Sequence, residues 1–333
     1  MRSTLAVLLL LTASAVLFQS CKKSNPVGSN EPVYPVTAIV LNPAGAPQGG
    51  AILKLEGKAD DDPVFAAVTD SAGSATIKAP AGQQTLVAKM GSIFQTSITV
   101  DVQASDAGTE VGSVKLAQNT ALKVLVVQAS AEQLEDVLRD PVIGFTQFDS
   151  ITVYDLNDSV AADSNRALAF LQEYTLIFSD CDGGSEYGYQ PLSRVYGRYL
   201  QSGGKIYGGH YNYYHLERIF SPYYENSDYQ WQDVDSIQVI DSKLSSYLGF
   251  TVAEWQSTDS RNLSGYEKFT DTPPTSKVYA VIRGMQPSIG VVVENYKGSG
   301  KYLWTDYHNQ DVIDANPRDP RLVKIVQYFL YSM

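Results

Sequence analysis

The chain has 333 residues, 44% of them hydrophobic and 18% charged. That is enough apolar material for a buried core, excludes a wholly disordered chain and suits about two domains. Lys+Arg is 25 against Asp+Glu 36, a formal net charge of −11 that repels phosphate backbones, so nucleic acid is not an expected partner. Two cysteines exclude a disulfide framework and a cysteine-built zinc site.

Arg2 precedes an apolar run, Leu5 to Phe18. Fourteen residues at ~1.5 Å rise are too short for a ~30 Å hydrocarbon core, so residues 1–20 are expected to be a cleaved export signal. The run ends Leu17-Phe18-Gln19-Ser20-Cys21, with Lys22-Lys23 after it. This resembles the lipobox of bacterial lipoproteins. The resemblance implies cleavage before Cys21 and a thioether-linked diacylglycerol on its sulfur. Two or three acyl chains anchor stably, since each buried CH₂ contributes roughly 0.8 kcal/mol. A plainer alternative is an ordinary export signal with an incidental cysteine. Residues 21–34 then form the anchor and a polar tether, and the expected partner is a membrane, through the lipid. No acidic residue follows Cys21, so the lipoprotein reading places the protein in the cell envelope, on the outer membrane of a Gram-negative bacterium.

Residues 35–117 alternate with period two. Val36, Ala38 and Val40 form one run and Ala51, Leu53 and Leu55 another, with turn signals at Asn42-Pro43-Ala44-Gly45, Thr69–Gly73 and Pro80-Ala81-Gly82. Short strands at this spacing predict an all-β antiparallel sandwich. Asp70 and Gly73 suit a turn, because Asp bonds its own backbone and Gly accepts positive φ. With Pro47 and Gly50-Ala51, these features resemble carboxypeptidase regulatory-like domains, which have a transthyretin-like sandwich. The resemblance implies a stalk or adhesive module with no catalytic residues.

From about residue 120 the pattern becomes α/β. Leu122–Val127, Ser150–Tyr154, Tyr174–Phe178 and Lys205–Tyr207 read as strands. Ala131–Arg139, Asn165–Gln172 and Leu192–Leu200 read as helices. The chain closes with strands at Val278–Ile282, Gly290–Glu294 and Lys301–Thr305 and a helix from about Pro320. This predicts a three-layer domain over 120–333 with a mostly parallel sheet, flavodoxin-like in outline. Each segment has the length for its own core, so 120–333 is expected to fold without 35–117.

Ligands of such sheets sit outside the carboxyl ends of the strands. Three strand ends draw notice: Phe178–Gly184, Tyr207–Tyr213 and Thr305–Gln310. Their order resembles the class I glutamine amidotransferase-like fold. There, a Gly-rich loop corresponds to Asp182-Gly183-Gly184, a nucleophile elbow to Gly208-Gly209-His210, and a His-Pro-Glu ending to His308-Asn309-Gln310. The elbow here carries no cysteine, and Gln310 stands where a carboxylate would orient the histidine, so the resemblance implies a site without glutaminase chemistry. The expected ligand cleft comprises Asp182, His210, Tyr211 and His308.

Cys181 lies between two aspartates and reads as a small residue at a strand end rather than a nucleophile. Asp180, Asp182 and Glu186 lack the further ligands of a Ca²⁺ loop, and His210 and His215 are five apart, off one helix face. No metal and no cofactor is expected. Eleven tyrosines fall between Tyr187 and Tyr229, either packing helices or stacking on sugar rings; Ser221–Tyr247 reads as a lid. The expected function is a non-catalytic binding or assembly module of the envelope, with a glycan or an envelope protein as partner. The alternative is an envelope hydrolase acting on a glycan or amide through His308 and acidic partners.

Overall fold

A computed structural model of the chain describes residues 31–181, 189–221, 236–249, 251–254, 276–283, 290–305 and 320–332. Cys21 lies outside these residues. Seven strands come first: β1 (Val33–Leu41), β2 (Ile52–Leu55), β3 (Ala66–Val68), β4 (Ser74–Pro80), β5 (Gly82–Met90), β6 (Phe94–Val102) and β7 (Thr109–Lys115). They form two sheets, β4-β1-β7 and β3-β2-β5-β6. Alternate residues Val36, Ala38 and Val40 of β1 and Ala75, Ile77 and Ala79 of β4 are buried, because successive side chains point to opposite faces. The Thr69–Gly73 turn forms as expected: Asp70 Oδ1 accepts the N–H groups of Ala72 and Ser74, both at 2.9 Å, and Gly73 sits at φ +75°. One pairing departs from the antiparallel expectation. β7 returns beside β1 in the same direction, with a register shift at Thr37/Ala38.

The second part begins with β8 (Val124–Gln128), α1 (Leu134–Arg139), β9 (Asp149–Thr152), α2 (Val153–Ala162), α3 (Ser164–Leu171), β10 (Leu176–Ser179), α4 (Tyr189–Gln201) and β11 (Lys205–Gly208). A 3₁₀ turn, His210–Asn212, leads into α5 (Tyr213–Ile219). Then come β12 (Ser236–Val239), α6 (Ser242–Leu248), β13 (Val252–Glu254), β14 (Lys277–Ile282), β15 (Gly290–Lys297), β16 (Gly300–Thr305) and α7 (Pro320–Ser332). The sheet order is β13-β12-β14-β15-β16-β11-β10-β8-β9. The run β9-β8-β10-β11-β16 is parallel, and β12 to β15 pair antiparallel with their neighbours.

The sheet is buried on both faces, and its strands alternate between two cores. Val124, Val126, Leu176, Phe178, Tyr207 and Leu303 point to the side of α1, α6 and α7. Leu125, Val127, Ile177, Ile206, Tyr302 and Trp304 point to the side of α2 to α5. That is the expected three-layer arrangement.

Two local expectations give way to stronger signals. The strand read to Tyr154 stops at Thr152, because Thr152 caps α2: its hydroxyl oxygen accepts the Asp155 N–H at 3.1 Å and donates to the Asp155 carboxylate at 2.6 Å. The stretch read as a lid includes β12 and α6, both part of the sheet domain. Asp241 caps α6 through the Leu244 N–H, and Gly249 ends it at φ +81°. Residues 222–235 of that stretch lie outside the described residues.

The first core continues into the sandwich. Phe94 of β6 meets Phe145 and Tyr331 edge-on, at ring-centroid distances of 5.8 and 5.6 Å. Gly91 has no room for a side chain, since a Cβ there would overlap the Tyr331 carbonyl. Gln118 and Gln147 exchange two hydrogen bonds, and the Tyr331 hydroxyl donates to Gln48 at 3.2 Å. The sandwich therefore packs against the α1/α7 side of the sheet through a continuous apolar cluster. Separate lengths do not mean separate cores here.

Candidate functional site

The parallel run brings the carboxyl ends of β8, β10, β11 and β16 side by side. What gathers there is a buried polar cluster. Asp180, the residue after β10, accepts the Ala129 N–H at 3.3 Å and the Leu134 N–H at 3.1 Å, one on each oxygen. It thereby holds the loop after β8 and starts α1. Glu132, in that loop, accepts the Cys181 N–H at 3.1 Å, while the Cys181 carbonyl accepts the Ala131 N–H at 3.1 Å. The two loops are tied in both directions.

The turn after β11 closes over this pair. A Cβ on Gly209 would overlap the Glu132 carboxylate, so any side chain here displaces Glu132 from its place in the cluster. Asn212 then uses both kinds of amide group. It donates to the carbonyls of Ser179 and Asp180 at 3.0 and 3.1 Å, and accepts from the Tyr302 hydroxyl at 2.9 Å. The Trp304 indole donates to the His210 carbonyl at 2.9 Å. The ends of β10, β11 and β16 are thus tied together by side chains from β16 and from the turn.

Electrostatically the cluster is acidic and dry. Asp180 is 3% exposed, and its pKa is pushed well above the carboxylate range. Burial is the main cause, and the charges of Glu132 and Glu135 add to it, against the two backbone N–H bonds. On the other side of the sheet, Ser193 Oγ and His215 Nδ1 are 2.8 Å apart and both residues are buried. Burial, with Arg218 nearby, pushes His215 down to about 3, so its ring stays neutral at physiological pH.

Of the four residues expected to line a cleft, His210 is described through its side chain, and it is buried at 1% exposure. Tyr211 is described in its backbone, within the 3₁₀ turn. Asp182 and His308 lie outside the described residues, as do Gly183, Gly184, Glu186, Asn309 and Gln310. Cys181 is fully buried, in keeping with a small strand-end residue. Tyr196, Tyr199, Tyr207, Tyr213 and Tyr214 are all buried, so this part of the tyrosine cluster packs the core. Among the described residues no three of His, Cys, Asp or Glu gather as a metal site. Among them, too, no helix is long and apolar enough to cross a membrane.

Sequence reasoning missed Glu132 and Asn212 as members of this cluster. A carboxylate four residues beyond a parallel strand and an amide three beyond a Gly-Gly pair were the available signals. Both acquire their meaning only when β8, β10 and β11 become neighbours.

No family model matches the chain, and no curated protein matches it. Several solved structures do. A GMP synthase component from Thermoplasma acidophilum, so assigned by its name, is 11% identical, with a TM-score of 0.41, over 64% of this chain and 95% of that one. A cytoplasmic protein from Salmonella typhimurium LT2 is 12% identical, with a TM-score of 0.39, over 63% and 96%. A glutamine amidotransferase from Thermotoga maritima is 12% identical, with a TM-score of 0.35, over 57% and 76%. Identities and overlaps of this size carry no argument about activity.

Proposed function

We propose that the protein is an exported, lipid-anchored component of the cell envelope whose α/β domain binds a partner and performs no glutaminase chemistry. One observation carries the second half of this reading. The elbow after β11 is occupied by Gly209 and His210, with Gly209 closed onto Glu132 and the His210 side chain buried. A nucleophile of the amidotransferase kind needs a side chain at the elbow that reaches the substrate. Here the groups at the strand ends are spent on tying loops together. The first half rests on the Ser20-Cys21 pattern in the sequence. The favoured partner is an envelope glycan or an envelope protein, held above the strand ends.

Two measurements test this. The Cys21→Ala variant is expected to leave the detergent phase into which the unaltered protein partitions; equal partitioning overturns the anchor. The purified chain, screened against envelope glycans by calorimetry and against glutamine by ammonia release, is expected to bind without turnover. Glutamine hydrolysis that disappears in Cys181→Ala would overturn the non-catalytic reading.

A further inference from the structure

The face of the α/β domain turned away from the sandwich carries a concavity away from the strand ends. It is a groove of about 650 Å³ along α4 and α5, reaching the end of β15. That volume falls in the ~300–1,000 Å³ range of small-molecule sites. In a chain of net charge −11, its lining is cationic: Arg194, Arg198, Arg218 and Lys297 face the groove, against one carboxylate, Glu217.

Among the described residues, three of these cations are not accounted for by ion pairs within the fold. Arg194 and Arg198 are exposed and stand one helical turn apart, an arrangement of like charges that destabilises a helix slightly. Arg194 has no ion pair or hydrogen bond among the described residues, and Arg198 donates to a neutral group, Asn165, at 2.9 Å. Lys297 donates to the Ile219 carbonyl at 2.9 Å, again a neutral partner.

The floor of the groove makes the same point. Gly197 lies mid-helix between the two arginines, where glycine costs roughly 0.5–1 kcal/mol against alanine. Packing does not require it: a Cβ there would meet nothing nearer than Ile219 and Lys297 side-chain carbons at 3.8 Å. The glycine keeps the groove deep at a cost to the helix. Gln190, Gln201 and Ser221 add neutral hydrogen-bonding groups along the lining.

We propose that this groove binds a small hydroxyl-bearing anion, of the class of sugar phosphates and sugar acids. Arginine forks pair with the phosphate or carboxylate, and the amides and hydroxyl take the ring hydroxyls. The proposal does not depend on the strand-end cluster or on the reading of the elbow.

The test is titration calorimetry on the purified full chain with glucose 6-phosphate, glucuronate, inorganic phosphate and glucose. At least one of the first two is expected to bind at low ionic strength, more tightly than inorganic phosphate, and to weaken as salt is raised. Which of the two binds better distinguishes a phosphate from a carboxylate ligand. Arg194→Glu is expected to weaken binding by about tenfold or more, since charge-assisted bonds are lost and repulsion is added. Gly197→Leu fills the floor and is expected to abolish binding while the circular dichroism spectrum is retained. The proposal is overturned if neither sugar anion binds, if glucose binds as well as they do, if inorganic phosphate matches them, or if folded Arg194→Glu and Gly197→Leu both bind unchanged. His210→Ala leaves this binding intact, which separates it from any ligand at the strand ends.

Discussion

The strand-end cluster and the α4/α5 groove are two polar regions of one α/β domain, built in opposite ways. The cluster is buried and acidic, and its side chains hold loops. The groove is open and cationic, and no described residue pairs with Arg194. Each has a glycine at its centre, for opposite reasons. Gly209 leaves the space that the Glu132 carboxylate occupies. Gly197 is retained although a methyl group would fit. At the strand ends the described side chains pack against one another, whereas on the helices they leave a groove.

The two regions also differ in what supports them, and the largest expected effect follows. α1, which begins beside the cluster, shares a core with the sandwich, whereas α4 and α5 belong to the other core. Phe94→Ala removes the ring between Phe145 and Tyr331 and is expected to cost about 3–5 kcal/mol in a denaturant melt. Native-state hydrogen exchange should show protection lost first in Leu134–Arg139 and later in α4. Equal loss in both would mean that the two faces of the sheet unfold as one unit. For the same reason the isolated 120–333 fragment is expected to melt well below the full chain.

Gly209→Ala comes next. Displacing a buried carboxylate tied to Cys181 N–H is overpacking of a rigid site, expected to cost about 1–3 kcal/mol. A neutral result would mean that the turn after β11 relaxes freely, and the closed elbow would lose its support.

The pH dependence separates the regions by sign. Asp180 has a raised pKa in the fold, so the native state holds its proton where the unfolded chain has released it; this contribution to stability grows on acidification through the window above its ordinary 3.8. His215 has a lowered pKa, so the unfolded chain takes up a proton first; stability is lost as pH falls from 6.5 toward about 3. Relative to the unaltered protein, Asp180→Asn should therefore melt with a stability that falls more steeply on acidification below neutrality. His215→Gln should fall less steeply. Thermal melts between about pH 4 and 7 read both slopes, and a shared sign would break the contrast.

The smallest effect is Gly197→Ala. It should raise stability by about 0.5–1 kcal/mol, the ordinary gain for alanine in a helix with room for its methyl group. A loss instead would show that the helix needs that glycine for packing, and the argument for an open groove would weaken.

Much of this architecture was legible in the amino-acid sequence. Period-two burial in Val36, Ala38 and Val40, the apolar runs of β8 and β10, and the 3.6-residue spacing in α4 are local patterns, written within ten or so residues. Asp70 and Gly73 announced their turn because the chemistry of a turn is local too. The proposed export signal and Cys21 anchor were also read from adjacent residues, but they lie outside the described residues. The extent of α2, the sheet role of β12 and α6, and the parallel return of β7 beside β1 were not legible, since each depends on a cap or a partner strand elsewhere.

The same division runs through the polar regions. Sequence alone determined that a cysteine is missing from Gly208-Gly209-His210 and that Arg194, Gly197 and Arg198 follow one another along a helix. Tertiary structure decided that Glu132, Asp180 and Asn212 meet, because residues far apart in the chain become neighbours only when the sheet orders β8-β10-β11. It also decided that Arg218 and Lys297 join the two arginines, through the packing of α5 on α4 and the return of β15. Spacing along a chain specifies a local face; charge and burial at a site are sums over elements that only folding brings together.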